Sequence, residues 1–322
     1  MKKIRAGIIG GAGYTAGELV RILVNHPDAE LAFIHSESNA GNSVASVHEG
    51  LLGDTDMVFS GSFDLSSADV LFMCGAHGRS GEFWKQYSCP TGLKVIDLAQ
   101  DYRNESCGYV YGLPEWQREK IRKADKVANP GCFATAIQLA LLPPAKAGLL
   151  NSEINVNAIT GSTGAGVKPG PTSHFSWRNN NISIYKVFEH QHLAEICRNL
   201  SLLSGKEVPA INFIPVRGDF ARGIFATVHT DCPLTEVEAV ELYRDFYRDA
   251  PFTFVSDAPI DLKSVVNTNK CVIFVEKHGN KLVISSAVDN LLKGASGQAV
   301  ENMNLMCGLD PRAGLRLKAS AF

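Results

Sequence analysis

With 322 residues and a hydrophobic fraction of 45%, the chain is long enough to build two domains with separate cores. Its 31 basic and 33 acidic residues leave a formal net charge of -2, and its charged clusters mix both signs, so an electrostatic nucleic-acid partner is excluded. Met1 to Arg5 runs into a short apolar strand with no signal-peptide core, and no apolar run spans a bilayer, so a soluble, cytoplasmic protein with no membrane partner is expected.

Ile4 to Ile9 predicts a strand, followed at once by Gly10, Gly11, Ala12, Gly13, Tyr14, Thr15 and Ala16 and then an amphipathic run. A glycine-rich turn between first strand and first helix lets main-chain amides approach a dinucleotide pyrophosphate; a tight turn with no ligand is the plainer reading. Thr15 and Glu18 have the spacing of a capping box. Ala29 to Ile34 is the second strand, and Ser36, Glu37 and Ser38 lie beyond it, where an adenosine ribose would sit. The serine hydroxyls suit a 2′-phosphate and Glu37 a free ribose, which leaves NADP and NAD both open. Val70 to Cys74 and Leu93 to Asp97 are further strands, with a helix at Ser80 to Tyr87 between them. Gly75 and Ala76 follow the former and Arg103 the latter. A helix running from the Tyr111–Glu115 turn to about Ala124 and a strand at Val127–Ala128 complete an alternation that predicts a parallel sheet.

Asn129, Pro130 and Gly131 then turn the chain into Cys132 and an apolar helix. A thiol at a helix start meets unpaired N–H groups that favour the thiolate; a small buried core cysteine is the alternative. The eight cysteines contain no C-x-x-C pair, and no cysteine or histidine spacing matches a metal site, so neither zinc nor a disulfide framework is expected. Ile154 to Ile159 is a strand, and the long polar loop after it reads as a working loop or a subunit contact. A helix at His190 to Leu203 places His192 and Glu195 on one face, which suits an oriented acid–base histidine or a surface His–Glu bond. Arg217 and Arg222, between two strands, suit a carboxylate or phosphate, or are ordinary surface residues; Lys168 and Lys293 are weaker candidates. Thr235 and Glu238 form a second capping box, for a helix ending near Arg248. A hairpin joins Cys271–Val275 to Leu282–Val288, and a last helix covers Asp289 to Met306.

On these motifs the chain resembles the N-acetyl-γ-glutamyl-phosphate reductase family over essentially its whole length. Gly10 to Glu18 is similar to that family's G-A-S-G-Y-T-G turn, Tyr111 to Glu115 to its Y-G-L-P-E, and Ala128 to Thr135 to its A-N-P-G-C-Y-P-T. Gly161 to Gly166, His190 to Ile196, Arg222 to Ile224 and above all Asp289 to Met306 match its later motifs, while Ala16, Glu37, Phe133, Ala134 and Gln191 depart from the usual residues. The resemblance implies an α/β protein: a Rossmann-type parallel-sheet domain at 1–130 and 289–322, and an α+β domain at 131–288 with a mainly antiparallel sheet. This is the architecture of the glyceraldehyde-3-phosphate and aspartate-semialdehyde dehydrogenase type.

It further implies reduction of N-acetyl-γ-glutamyl phosphate with NADPH, NADH being the alternative, through a thioester, in arginine biosynthesis, by a homodimer or homotetramer. Cys132 is then the nucleophile, His192 the acid–base and Glu195 its orienting partner. The glycine turn, Ser36, Ser38, Gly75, Ala76, Ser162, Gly164, Ala165, Asn290 and Lys293 would serve the cofactor, and Arg103, Asn129, His190, Arg217 and Arg222 the acyl phosphate. Two neighbouring activities stay open. One is the N-succinyl substrate, whose extra carboxylate would need Lys168, Arg178 or Arg217; the other is aspartate-semialdehyde dehydrogenase. A non-catalytic dinucleotide-binding sensor is the reading from a different class.

Overall fold

The computed structural model describes residues 2–320; residues 1, 321 and 322, the outer ends of the first expected domain, lie outside them. The chain divides into two compact units, 2–130 with 295–316 and 131–294 with 317–320. The first begins with β1 (Ile4–Ile9), α1 (Tyr14–Leu23), β2 (Ala29–His35), β3 (Val70–Met73), α2 (Arg79–Gln86), β4 (Lys94–Asp97), β5 (Val110–Tyr111), α3 (Pro114–Arg122) and β6 (Lys126–Ala128). The second contains α4 (Cys132–Lys146), β7 (Ile154–Thr160), α5 (Phe175–Arg178), β8 (Ser183–Ile184), α6 (His192–Ser204), β9 (Ile211–Arg217) and β10 (Ile224–Asp231). It continues with α7 (Glu236–Tyr247), β11 (Thr253–Val255), β12 (Cys271–His278) and β13 (Lys281–Val288), after which α8 (Ser296–Met306) belongs to the first unit.

In the first unit the strands pair in parallel in the order β2-β1-β3-β4-β6-β5. Every residue of β3 is buried, as expected of a strand covered on both faces. α1 buries Leu19, Val20, Ile22 and Leu23, and α8 packs on α1, α3 and β4. The sheet order reverses at β1, so the ends of β1 and β3 form the position where such sheets take ligands.

The expected Thr15–Glu18 capping box is absent. The helix starts at Tyr14, Gly13 caps it without a side-chain bond, and Glu18 pairs with Arg21 at 2.7 Å. The last helix also starts later than its periodicity suggests. The buried Asp289 accepts the N–H groups of Leu291 and Leu292 and folds the segment into turns, so α8 begins only at Ser296.

The second unit's sheet runs β11-β12-β13-β10-β7-β9-β8 and is mixed, with parallel pairs only at β11·β12 and β7·β9. Its strands alternate buried and half-buried residues, and α4 covers the buried face, touching β10, β12 and β13. Pro143 and Pro144 lie inside α4 and lack the N–H groups that would reach Leu139 O and Ala140 O. Tyr247 and Tyr243 of α7 donate their hydroxyls to those two carbonyls, each at 2.5 Å. The buried acceptors are thereby satisfied and α7 is fixed to α4. At the start of α7 the Thr235–Glu238 capping box is present as expected. Among the described residues no helix is long and apolar enough to cross a membrane.

Candidate active site

At the end of β1 the chain turns on Gly10, with φ +82°; a Cβ there would lie 2.9 Å from the Cys74 carbonyl carbon. Gly11 donates to His35 O at 2.8 Å, and a Cβ would strike Ile34 at 2.5 Å. Gly13 differs, since a Cβ there would meet nothing nearer than Gly10 O at 3.9 Å, and the turn is open on that side. Gly17 N–H makes an early helical bond, to Gly13 O at 3.0 Å, leaving the amides just before it without helical partners and with the positive end of α1 behind them. Ala12 is half-buried, Tyr14 exposed and Ala16 fully buried, so the methyl in place of a third glycine is accommodated by packing. A glycine turn open at Gly13, with a helix start behind it, fits a pyrophosphate.

His48, which sequence reasoning missed, donates from Nε2 to Gly11 O at 2.8 Å and lies so close to Gly17 that a Cβ there would be 2.6 Å from its Nδ1. It sits in an irregular segment with no local signal. Gly75 and Ala76 follow β3, half-buried and exposed respectively. Beyond β2, Asn39 Nδ2 donates to Ser36 Oγ at 3.4 Å and Ser38 Oγ at 3.0 Å, and Glu37 is exposed between them.

Arg103 is buried, and its Nε and Nη2 donate to the carbonyls of Asn129 at 2.9 Å and Leu98 at 3.1 Å. Asn129 donates to Ala295 O at 2.9 Å and accepts from Asn302 at 3.1 Å. These two substrate candidates therefore brace the main chain of the first unit. Asp97, at the end of β4, accepts the Ala99 N–H at 2.7 Å, and burial pushes its carboxyl up to about 6.

In the second unit, Cys132 is the first residue of α4 and half-buried, whereas Cys232 and Cys271 are buried. Thr135 N–H reaches back to Gly131 O at 2.8 Å, the first bond of the α4 ladder, so the amides of 132–134 lie in the helix's first turn, at its positive end. The His192 ring lies against Gly131, where a Cβ would fall 2.3 Å from its Nε2; only glycine admits the imidazole there. Glu195, one turn along α6, accepts the Gly131 N–H on Oε1 at 2.9 Å in a buried bond. α6 thus holds the cysteine's turn with an imidazole and a carboxylate at i, i+3 spacing. On another side Gly294 closes in, with a Cβ there 2.9 Å from Cys132 Cβ.

His190 precedes α6 and accepts the His192 N–H on Nδ1 at 3.2 Å. Its ring packs on those of His192, Phe133 and Phe213 at centroid distances of 4.7, 5.3 and 5.4 Å. Burial, then the Lys186 charge, lowers its pKa to about 4, so it is neutral near pH 7. Tyr185, which the sequence did not single out, lies 5.8 Å from His190 and carries the Arg217 guanidinium 3.8 Å over its ring.

Arg222 grips the fully buried Asp289 through Nε and Nη2, both at 3.1 Å. Asn290 accepts the Gly223 N–H at 2.7 Å and donates to Thr163 Oγ1 at 3.0 Å. Ser162 and Thr163 N–H donate to Phe220 O and Ala221 O at 2.9 and 3.0 Å. These bonds stitch three loops into one block, in which Arg222 and Asn290 are the fasteners. On that block Ser162 is half-buried, and Gly164 and Ala165 are exposed. Lys293 is fully buried, its ammonium 5.9 Å from the Phe252 ring centroid, and Lys168 is exposed. Among the described residues no group of three or more His, Cys, Asp or Glu side chains is placed to hold a metal ion.

Residues 5–124 match the family model of the semialdehyde dehydrogenase NAD binding domain, and residues 132–290 that of the semialdehyde dehydrogenase dimerisation domain. The N-acetyl-gamma-glutamyl-phosphate reductases of Parabacteroides distasonis and Azobacteroides pseudotrichonymphae are 60% and 59% identical to the chain, covering 99% of it and 100% of each relative. That of Christiangramia forsetii is 52% identical with the same coverage. Among solved structures, aspartate semialdehyde dehydrogenase II from Vibrio cholerae, complexed with ASA, superposes with a TM-score of 0.73 at 18% identity, covering 96% of this chain and 99% of that one. Aspartate semialdehyde dehydrogenase with NADP from Candida albicans gives 0.69 at 13%, covering 95% and 99%. At such identities the likeness is one of fold.

Proposed function

The chain belongs to the N-acetyl-γ-glutamyl-phosphate reductase family, and from that premise we propose that it reduces N-acetyl-γ-glutamyl phosphate to N-acetylglutamate 5-semialdehyde, releasing phosphate, in arginine biosynthesis. The observation that carries this reading is the half-buried Cys132 at the start of α4, with His192 seated on the glycine before it.

The acyl group is transferred first. Cys132 Sγ, as thiolate, attacks the γ-acyl carbon; the C–S bond forms, the C–O bond to phosphate breaks, and phosphate leaves with the electron pair. The amides of 132–134 and the dipole of α4 supply positive potential for the oxyanion of each tetrahedral adduct. A reduced nicotinamide, when bound, supplies the hydride that turns the thioester carbon into a thiohemiacetal. His192 keeps the proton: it takes it from the thiol, lends it to the oxyanion, and takes it back as the C–S bond breaks and the aldehyde departs. Glu195 fixes the Gly131 main chain on which that ring rests.

Gly10 to Ala16 would hold the pyrophosphate, with Gly75 and Ala76 beside it, and the Ser36, Ser38 and Asn39 cluster favours NADPH over NADH. Ser162, Gly164 and Ala165 keep their cofactor assignment within this proposal, and His190 and Arg217 their substrate assignment. Arg103, Asn129, Arg222 and Asn290 act through the bracing bonds described. The half-buried face of the second sheet, which presents Ile159, Ile214, Val216, Phe225, Val272 and Phe274, would pack against a second copy, giving a homodimer or a homotetramer built from it. Eight free cysteines suit a reducing, cytoplasmic setting.

The deciding experiment assays N-acetyl-, N-succinyl-γ-glutamyl and aspartyl phosphate side by side with NADPH and NADH. Preference for the acetyl substrate with NADPH supports the proposal. Faster turnover of aspartyl phosphate, or none of any acyl phosphate, overturns it.

A further inference from the structure

Arg178, at the end of α5, is 9% exposed, yet its Nε is buried without a hydrogen-bond partner and its Nη2 reaches only Thr160 O at 3.4 Å. Arg217, at the end of β9, lies close enough for its charge to oppose that of Arg178 and has its guanidinium stacked on Tyr185. Among the described residues neither arginine stands in an ion pair; Asp219, the acidic residue whose charge favours Arg178, has one carboxylate oxygen taken by the Asn180 N–H at 2.8 Å. Two cationic groups, one of them nearly water-free, are thus held together with no carboxylate seated between them. Such an arrangement is unfavourable in the empty protein and is relieved by a bound anion.

The surrounding geometry ties this pair to the chemistry. Thr160 and Arg217 are register partners on β7 and β9, and Ser183 of β8 faces Arg217 from the other side, so the pair sits at one end of the sheet. Tyr185 lies between: its ring carries Arg217 and packs on His190, whose ring packs on His192 at the cysteine's turn. A ligand whose anionic group met the two guanidinium groups would have its next few atoms beside Tyr185, on the cysteine side.

We propose that Arg178 and Arg217 form a two-guanidinium seat for an anionic oxygen group of the substrate, either its carboxylate end or its phosphate. The seat deepens the functional reading above and rests on it. Arg217 offers the exchangeable fork of donors, and Arg178 supplies the buried donor that fixes the register.

Running the reaction backwards separates the two ends, because the semialdehyde carries only the carboxylate and phosphate is added independently. Arg178→Gln, Arg217→Gln and the charge-keeping Arg217→Lys are compared with wild type for the KM of semialdehyde, of phosphate and of NADP, together with melting temperature. The seat requires one of the first two KM values to rise about 10- to 100-fold in the Gln variants, with kcat much less affected. A rise for semialdehyde assigns the carboxylate and a rise for phosphate assigns the leaving group. Arg217→Lys recovers part of the loss, the KM of NADP does not move, and unliganded Arg178→Gln melts no lower than wild type. Unchanged KM values for both, or a fall in kcat and melting temperature without a KM change, overturn the seat. Should the Gln variants not fold, Arg217→Lys with wild-type KM values for both substrates does the same. A wild-type enzyme inactive on the semialdehyde refutes the functional reading instead.

Discussion

The turn before α1 and the turn before α4 are built from the same parts, a strand end, a glycine and the open amides of a helix start, but their glycines make room for different things. Gly10 is needed for its own backbone, at φ +82° and packed on the Cys74 carbonyl, and Gly13 leaves space empty. Gly131 has an ordinary extended conformation, φ -71° and ψ 151°, and its missing side chain is replaced by the His192 ring. One helix start is thus left open beside Gly13. The other carries a cysteine with an imidazole seated on the glycine before it, the pair that the proposed mechanism uses as nucleophile and proton carrier.

The largest effect should come from removing what only the second turn possesses. Cys132→Ser keeps the helix and the amides but loses the thiolate, and is expected to give no aldehyde from acyl phosphate and NADPH while still binding the dinucleotide. Aldehyde formation near the wild-type rate would end the comparison, since the second turn would then be no more chemical than the first.

Gly131→Ala tests the space itself. The backbone accepts alanine, so the fold should survive, but the methyl group would fall 2.3 Å from His192 Nε2 and displace the ring. Activity should drop roughly 10²- to 10⁴-fold, as for loss of a general acid–base group, with thermal stability nearly unchanged. A variant with normal kcat would show that the position of His192 on this glycine is immaterial.

The first turn predicts a split between its two glycines. Gly10→Ala forces a left-handed backbone on alanine and a contact at 2.9 Å, and should destabilise the protein by on the order of 1–3 kcal/mol in urea unfolding. Gly13→Ala meets no protein atom nearer than 3.9 Å, so stability should hold while the KM of NADPH rises about tenfold. Equal effects at both positions would mean that the open side of the turn is not where the dinucleotide approaches.

Much of this was readable in the chain, for a physical reason. Ile4–Ile9, the Thr235–Glu238 cap and the helix start at Cys132 are set by residues within one turn of each other, and local sequence specifies them. The helix expected from Asp289 failed because a buried carboxylate outcompeted helical bonding for nearby amides, an effect of burial that periodicity does not carry. His48 on Gly11 is a contact across 37 residues, and Glu195 on Gly131 one across 64. Glu195 could be read as belonging with His192, which is near in sequence, but its bond to the cysteine's turn could not. Gly294 costs helix propensity, which close packing justifies: it closely approaches Cys132, a residue far away in the chain.

The smallest effect concerns stability, and in it the two units pull against each other. In the second, His190 is held neutral with its pKa lowered from 6.5 to about 4, so the unfolded chain binds more protons between those values. Its stabilising share is complete above pH 6.5 and is lost as the pH falls toward 4. In the first, burial raises Asp97 from 3.8 to about 6, so the folded chain binds more protons; that share is complete at low pH and is lost as the pH rises through 6. Both side chains are buried, and each contribution is on the order of 3 kcal/mol. His26, also lowered by burial, adds to the His190 side, so the comparison must be made against wild type at each pH. The Asp97 and His190 slopes oppose each other in the wild-type urea midpoint between pH 4.5 and 6, and removing either group should shift the slope in a known direction relative to wild type. Asp97→Asn, which still accepts the Ala99 N–H, should turn the slope upward with pH relative to wild type. His190→Asn, which keeps an acceptor for the His192 N–H, should turn it downward. Two variants running parallel to wild type across this window would show that neither buried group changes its protonation on unfolding.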